Sequence, residues 1–188
     1  MSAVKERIAE AVERLGDELE SLSHRIHDHP ELGYQEVKAA GWLTEFLAGQ
    51  GFKVERGVAG VDTAFRAIIE TGDGPTIAIL CEYDALPAIG HACGHNVIAT
   101  AGVGAGAALA AVREQLPKGR VHVIGTPAEE GGGGKVRLIR GGVFRDVDAA
   151  MMIHGWDRWV PHQDLLGVVR VGFEFSGKAA HEIGRAHV

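Results

Sequence analysis

The chain has 188 residues, 46% of them hydrophobic and 23% charged, with a formal net charge of −6. That is enough apolar material for one buried core, and an acidic balance advertises no nucleic-acid face. No apolar run approaches the ~18 residues of a membrane span, and the polar start Met1-Ser2-Ala3-Val4-Lys5-Glu6-Arg7 lacks the apolar segment of a signal peptide.

In chain order, Val4, Ile8, Val12, Leu15, Leu19, Leu22 and Ile26 recur at three- and four-residue steps and predict an amphipathic helix ending before Pro30. A second helix is expected over Tyr34 to Leu47. Strands are expected over Thr63 to Glu70 and over the continuous apolar run Thr76 to Cys81, which suits a strand buried on both faces. A small-residue helix is expected from Asn96 to Leu116. A strand follows at Val121 to Ile124, a short helix at Lys135 to Arg140, and a strand at Ala149 to Ile153. This order predicts an α/β fold, a layered sheet with flanking helices. Leu166 to Phe175 alternates and reads as a strand of a different unit, which places a boundary near residue 165. Two cysteines, Cys81 and Cys93, make no disulfide framework, so a reduced cytoplasmic setting is the expectation.

Polar motifs follow the buried strands: Glu82-Tyr83-Asp84, Glu129-Glu130 and His154. In open α/β sheets that edge binds ligands. Cys93 and His95 flank a single glycine. They read either as thiolate and imidazole ligands of a late divalent ion or as a buried Cys beside a capping His. His91 reads as support for a ligand or as a loop histidine. Glu129 and Glu130 are adjacent, so on an extended segment they point apart. That suits one metal ligand and one general base, the other reading being an acidic pair at a helix N-terminus. Glu82 and Asp84 fall on one side of an extended segment and either hold a ligand histidine, touch a metal or sit solvated in a turn. His24, His27 and His29 lie at a helix end, where capping is common, and stay outside the predicted site. Gly131 to Gly134 is no phosphate loop, because Glu129 stands where its first glycine belongs and Val136 follows Lys135. Gly102 to Gly106 lies inside a helix rather than at a strand-to-helix turn, and no Gly-x-Ser-x-Gly is present.

These motifs carry a resemblance. Glu82-Tyr83-Asp84-Ala85-Leu86-Pro87, Gly90 to Asn96, Gly125-Thr126-Pro127-Ala128-Glu129-Glu130-Gly131, Gly177-Lys178-Ala179-Ala180-His181 and His27-Asp28-His29-Pro30-Glu31-Leu32 together resemble the M20 metallopeptidase/amidohydrolase family. The likeness is to its subfamily D, the branch of p-aminobenzoyl-glutamate hydrolase and M20-domain dipeptidase types. The resemblance implies Cys93, His95, Glu130 and His154 as ligands of two divalent ions, Zn²⁺ or Mn²⁺. It implies Glu129 as general base, Asp84 as support, and His181 as a substrate-binding residue in a smaller α+β lid and dimerisation domain. The implied activity is hydrolysis of an amide bond in small N-acyl amino acids or dipeptides, by a homodimer. The alternative is a metal-binding fragment that does not turn over, or a structural zinc site.

Members of that family run to about twice this length, at the usual ~100–200 residues per domain, and carry a further His ligand near their C-terminus. The expected layout is therefore residues 1–165 as part of a catalytic domain and 166–181 as the start of the lid. Residues 182–188 are expected to be a non-native tail, because codons spelling Ile183 to Val188 match a common sequencing adapter.

Overall fold

A computed structural model describes residues 3–162, 167, 169 and 171–177. The helices are α1 (Ala3–His27), α2 (Val37–Gly49), α3 (His95–Ala111) and α4 (Gly134–Arg140). The strands are β1 (Lys53–Arg56), β2 (Phe65–Glu70), β3 (Thr76–Cys81), β4 (Arg120–Gly125) and β5 (Ala149–Met151). The five strands form one sheet in the order β1-β2-β4-β3-β5. β4, β3 and β5 run parallel, while β2 is antiparallel to β4 and β1 antiparallel to β2.

Strand alternation divides the core between the two faces of the sheet. Phe65, Ala67, Ile69, Cys81 and Val123 pack with Leu22 and Ile26 of α1, Leu43 and Leu47 of α2, and Ala99, Val103 and Ala107 of α3. Ala78 and Ile124, at alternate positions facing the other way, pack with Leu138 of α4, Val58, Val61 and Val143. The chain therefore leaves β3 toward one face through α3, and leaves β4 toward the other through α4. The crevice at the C-terminal ends of β3 and β4 is a topological switch point.

The small residues of α3 allow close packing on two sides. A Cβ added at Gly106 would stand 2.6 Å from Val123 Cγ2, and one at Gly102 would collide with Cys81 Sγ, both on the sheet. A Cβ at Gly104 would stand 2.8 Å from Leu19 Cδ1 of α1. These glycines let a helix lie against a sheet and a second helix at once; they cradle no phosphate.

Several boundaries differ from expectation. α2 starts at Val37 rather than Tyr34, because Tyr34 adopts a left-handed conformation (φ 66°) and the Glu31 carboxylate accepts the N–H groups of Lys38 and Ala39. α3 ends at Ala111, and Arg113–Gln115 forms a separate 3₁₀ turn. β1 is an additional strand. It is four residues long and mostly exposed, so its sequence carries no apolar alternation. Backbone compactness groups Met1–Gly155 as one unit and begins a second at Trp156, whose described residues contain no helix or strand. The strand expected over 166–175 lies in part outside the described residues, as do the expected lid residues 178–181 and the tail 182–188 entirely.

Packing at α3 yields an expected outcome. Gly106→Val overfills the contact with Val123 and lowers stability by about 1–3 kcal/mol. Gly16→Ala, in α1 with nothing within 4 Å of the new methyl, raises it by up to ~1 kcal/mol. Urea midpoints measure both; equal midpoints for the two variants would contradict the packing.

Candidate metal centre

Tyr83 explains why two carboxylates share one direction. Its ring is fully buried and stacks on Phe65 at 5.8 Å, and its hydroxyl donates to the Thr63 carbonyl at 2.7 Å. In an extended segment this turns Glu82 and Asp84 away from the core cluster together. Gly125 leaves the room: a Cβ there would meet both Phe65 and the Tyr83 hydroxyl.

His95 is the first residue of α3 and is wholly buried. Its Nδ1–H lies 2.8 Å from the Asp84 carbonyl and 3.2 Å from Asp84 Oδ1. With Nδ1 serving as donor, Nε2 is free to act as a ligand. Around Nε2 stand Glu82 Oε2 at 3.3 Å, Glu129 Oε2 at 3.8 Å and Glu130 Oε1 at 3.8 Å. Among the described residues, His95 Nε2, Glu82 Oε2 and Glu130 Oε1 are buried without a hydrogen-bond partner. Buried atoms left unpartnered around His95 Nε2 in this way are costly unless a cation joins them.

Cys93 Sγ and His154 Nε2 are 3.6 Å apart. Ligand bonds of about 2.3 Å for sulfur and 2.0–2.1 Å for nitrogen, at a tetrahedral angle, place these atoms about 3.6 Å apart. Donor atoms of Cys93, His95 and His154 all lie within 4.8 Å of one another, as do those of Glu82, His95 and Glu129. Thiol, imidazole and carboxylate donors of this kind fit late divalent ions.

Burial opposes ionisation of Asp84, but hydrogen bonds from His95 and from the Glu130 and Glu129 backbone prevail and hold its carboxyl below the ordinary value. Burial works against a charged His95 too, yet the bond to Asp84 and the charge of Glu82 raise its pKa. Burial and then the Glu82 carboxylate raise Glu129. Burial, followed by the Glu130 carboxylate, pushes the Cys93 thiol up to about 11. A bound cation reverses that last effect by favouring the thiolate.

The structure thus gathers Asp84, Cys93, Glu129, Glu130 and His154 around His95; His181 lies outside the described residues. One expectation is corrected. Glu129 and Glu130 both turn toward His95, because Ala128 (φ 56°) and Gly131 (φ 127°) break the extended alternation on either side. Their exposures still differ: 42% of the Glu129 side chain is accessible against 21% for Glu130. They are not a helix N-terminal pair, since α4 begins at Gly134.

Glu82 enters the centre more fully than its sequence position indicates, and Lys135 enters beside it, its Nζ pairing with Glu82 Oε1. The Lys135 position beyond a glycine run carries no periodic signal. His91 is buried 6.4 Å from His27, and burial followed by the charges of His95 and His27 lowers its pKa. His29 lies outside the centre, its Nδ1 bonded to the Arg25 carbonyl at 2.9 Å.

The model of peptidase family M20/M25/M40 matches residues 81–183. The chain belongs to this family. Mouse Xaa-Arg dipeptidase is 44% identical over 94% of this chain and 43% of its own length. A p-aminobenzoyl-glutamate hydrolase polypeptide of Escherichia coli K12 is 33% identical over 100% of this chain and 43% of its own length. A Bacillus subtilis dinuclear metal binding peptidase from the M20 family is 30% identical, with a TM-score of 0.67, over 73% of this chain and 42% of that one. The chain therefore spans less than half the length of these relatives. Its match to the M20 family covers β3 Cys81, both carboxylate motifs, Cys93, His95 and His154.

A pH dependence follows for protein held in chelator. The Asp84 contribution to stability is present above its unfolded pKa of about 3.9 and lost as pH falls through its lower folded value. The His95 contribution is full below its unfolded pKa of about 6.5 and lost as pH rises through its higher folded value. The stability gap between wild type and Asp84→Asn, read from urea midpoints, is therefore widest between about pH 4 and 6.5. A gap constant with pH would contradict the Asp84–His95 pairing.

Proposed function

We propose that the protein carrying this chain is a metal-dependent amidohydrolase that cleaves the amide bond of small N-acyl amino acids or dipeptides. The observation that carries this reading is the placement of buried, unpartnered Glu82 Oε2 and Glu130 Oε1 around His95 Nε2, beside the Cys93–His154 pair. In this reading Cys93, His95, Glu130 and His154 hold two divalent ions, zinc or manganese. Bound there, the ions supply Lewis-acid polarisation of the carbonyl and a lower pKa for water.

The remaining work falls to the chain. Glu129 is the more exposed carboxylate and its basicity is raised by burial and by Glu82, which suits a general base. It accepts the proton of the attacking water, then passes it to the amine nitrogen as the C–N bond breaks. Asp84 holds the His95 tautomer. Lys135 offsets the charge of Glu82, which otherwise stands unbalanced beside Glu129. His181 is assigned the substrate carbonyl or carboxylate, in a lid domain of a homodimer. The named relatives support a substrate ending in a free amino-acid carboxylate, such as p-aminobenzoyl-glutamate or a dipeptide.

The test uses protein at the length of the curated relatives, loaded with Zn²⁺ or Mn²⁺. Glu129→Gln reduces hydrolysis of p-aminobenzoyl-glutamate and of dipeptides by about 10²–10⁴-fold with metal content unchanged. Cys93→Ala lowers metal content. Wild-type metal uptake without turnover would instead support an inert metal-binding protein, and a Glu129→Gln variant of full activity would exclude Glu129 as base.

A further inference from the structure

The motif Glu31 to Glu36 takes no part in the chemistry above, yet it touches both loops that carry the metal centre. The Glu31 carbonyl accepts the Ala85 N–H at 2.8 Å, and Leu32 bridges to Ala85, beside Asp84. Tyr34 Oη donates to the Gly132 carbonyl at 2.5 Å, two residues beyond Glu130. The Arg137 guanidinium covers the Tyr34 ring at 4.4 Å. Glu36 Oε1 accepts the Ala128 N–H at 2.8 Å, across 92 positions of sequence.

Two left-handed turns meet in this contact. Tyr34 (φ 66°) and Ala128 (φ 56°) both occupy a region disfavoured for residues with a Cβ. Gly33 lets them approach, since a Cβ there would stand 2.9 Å from Ala128 Cβ. The Ala128 turn stands directly before Glu129 and Glu130, whose carboxylates both lie near His95. Glu36 is completely buried, and an ionisable side chain is rarely placed so without a specific partner.

We infer that Glu36 is a positioning residue: its buried carboxyl fixes the strained Ala128 turn through the Ala128 N–H and thereby aims Glu129 and Glu130 at the metal centre. The inference rests on the metal reading of that centre, but not on hydrolysis. Burial raises the Glu36 pKa, opposed by nearby backbone N–H groups, that of Ala128 among them. Either protonation state keeps an oxygen lone pair for the Ala128 N–H. What the position requires is an acceptor of this shape, and glutamine provides one.

The experiment is Zn²⁺ affinity of the full chain, by competition with a chromophoric chelator, alongside thermal unfolding of each metal-free variant. Glu36→Gln binds Zn²⁺ within about threefold of wild type, whereas Glu36→Ala binds about 10–100-fold more weakly, as for other groups that orient ligands. Tyr34→Phe, which frees the Gly132 carbonyl on the same loop, weakens binding in the same direction and carries the test if Glu36→Ala does not fold. A Glu36→Ala variant that loses thermal stability but keeps wild-type Zn²⁺ affinity would overturn the inference. So would a Glu36→Gln variant as weak as Glu36→Ala. Wild-type Zn²⁺ uptake without amide hydrolysis would overturn the enzymatic reading alone and leave this series of affinities to decide Glu36.

Discussion

Asp84 accepts hydrogen bonds from His95 Nδ1–H and from the Glu130 backbone N–H, at 2.9 Å for the latter, and the geometry of the centre depends on that double acceptance. One carboxylate orders groups from two different parts of the fold, the first turn of α3 and the loop after β4. Its own placement comes from Tyr83, whose buried ring fixes which way the segment after β3 faces. A core residue thus sets the direction of the polar residues on either side of it. The resulting cluster is electrostatically incomplete: Glu82 Oε2 and Glu130 Oε1 are buried beside His95 Nε2 without a hydrogen-bond partner among the described residues, and Lys135 pairs with Glu82.

Much of this was legible in the sequence because it rests on short-range patterns. The apolar run Thr76 to Cys81 coincides with β3, and the polar motifs do follow strand ends. The small residues of α3 read correctly as helix. The less legible parts depend on backbone conformations that a β-carbon disfavours. Tyr34 and Ala128 sit in left-handed turns that no residue preference announces, so α2 starts later than its apolar pattern indicates, and two adjacent glutamates converge instead of diverging. β1 is short and exposed and has no periodic signature. Lys135 reaches Glu82 across 53 positions, a contact visible only once α4 is placed.

The fold gives these local features one location. α3 and α4 leave the sheet on opposite faces, which opens a crevice at the ends of β3 and β4, and the M20/M25/M40 family match runs across that crevice. Strain at Ala128, close packing at Gly33 and burial of Glu36 all surround the crevice rather than the distant ends of the helices. Local backbone strain of this kind is tolerated where the surrounding contacts overdetermine it.

The most direct measurement is X-ray absorption at the zinc edge of the loaded protein. The account predicts a sulfur neighbour at about 2.3 Å from Cys93, averaged over the two ions, in a shell otherwise made of nitrogen and oxygen at about 2.0–2.2 Å. A zinc shell of nitrogen and oxygen alone, unchanged by Cys93→Ala, would contradict it.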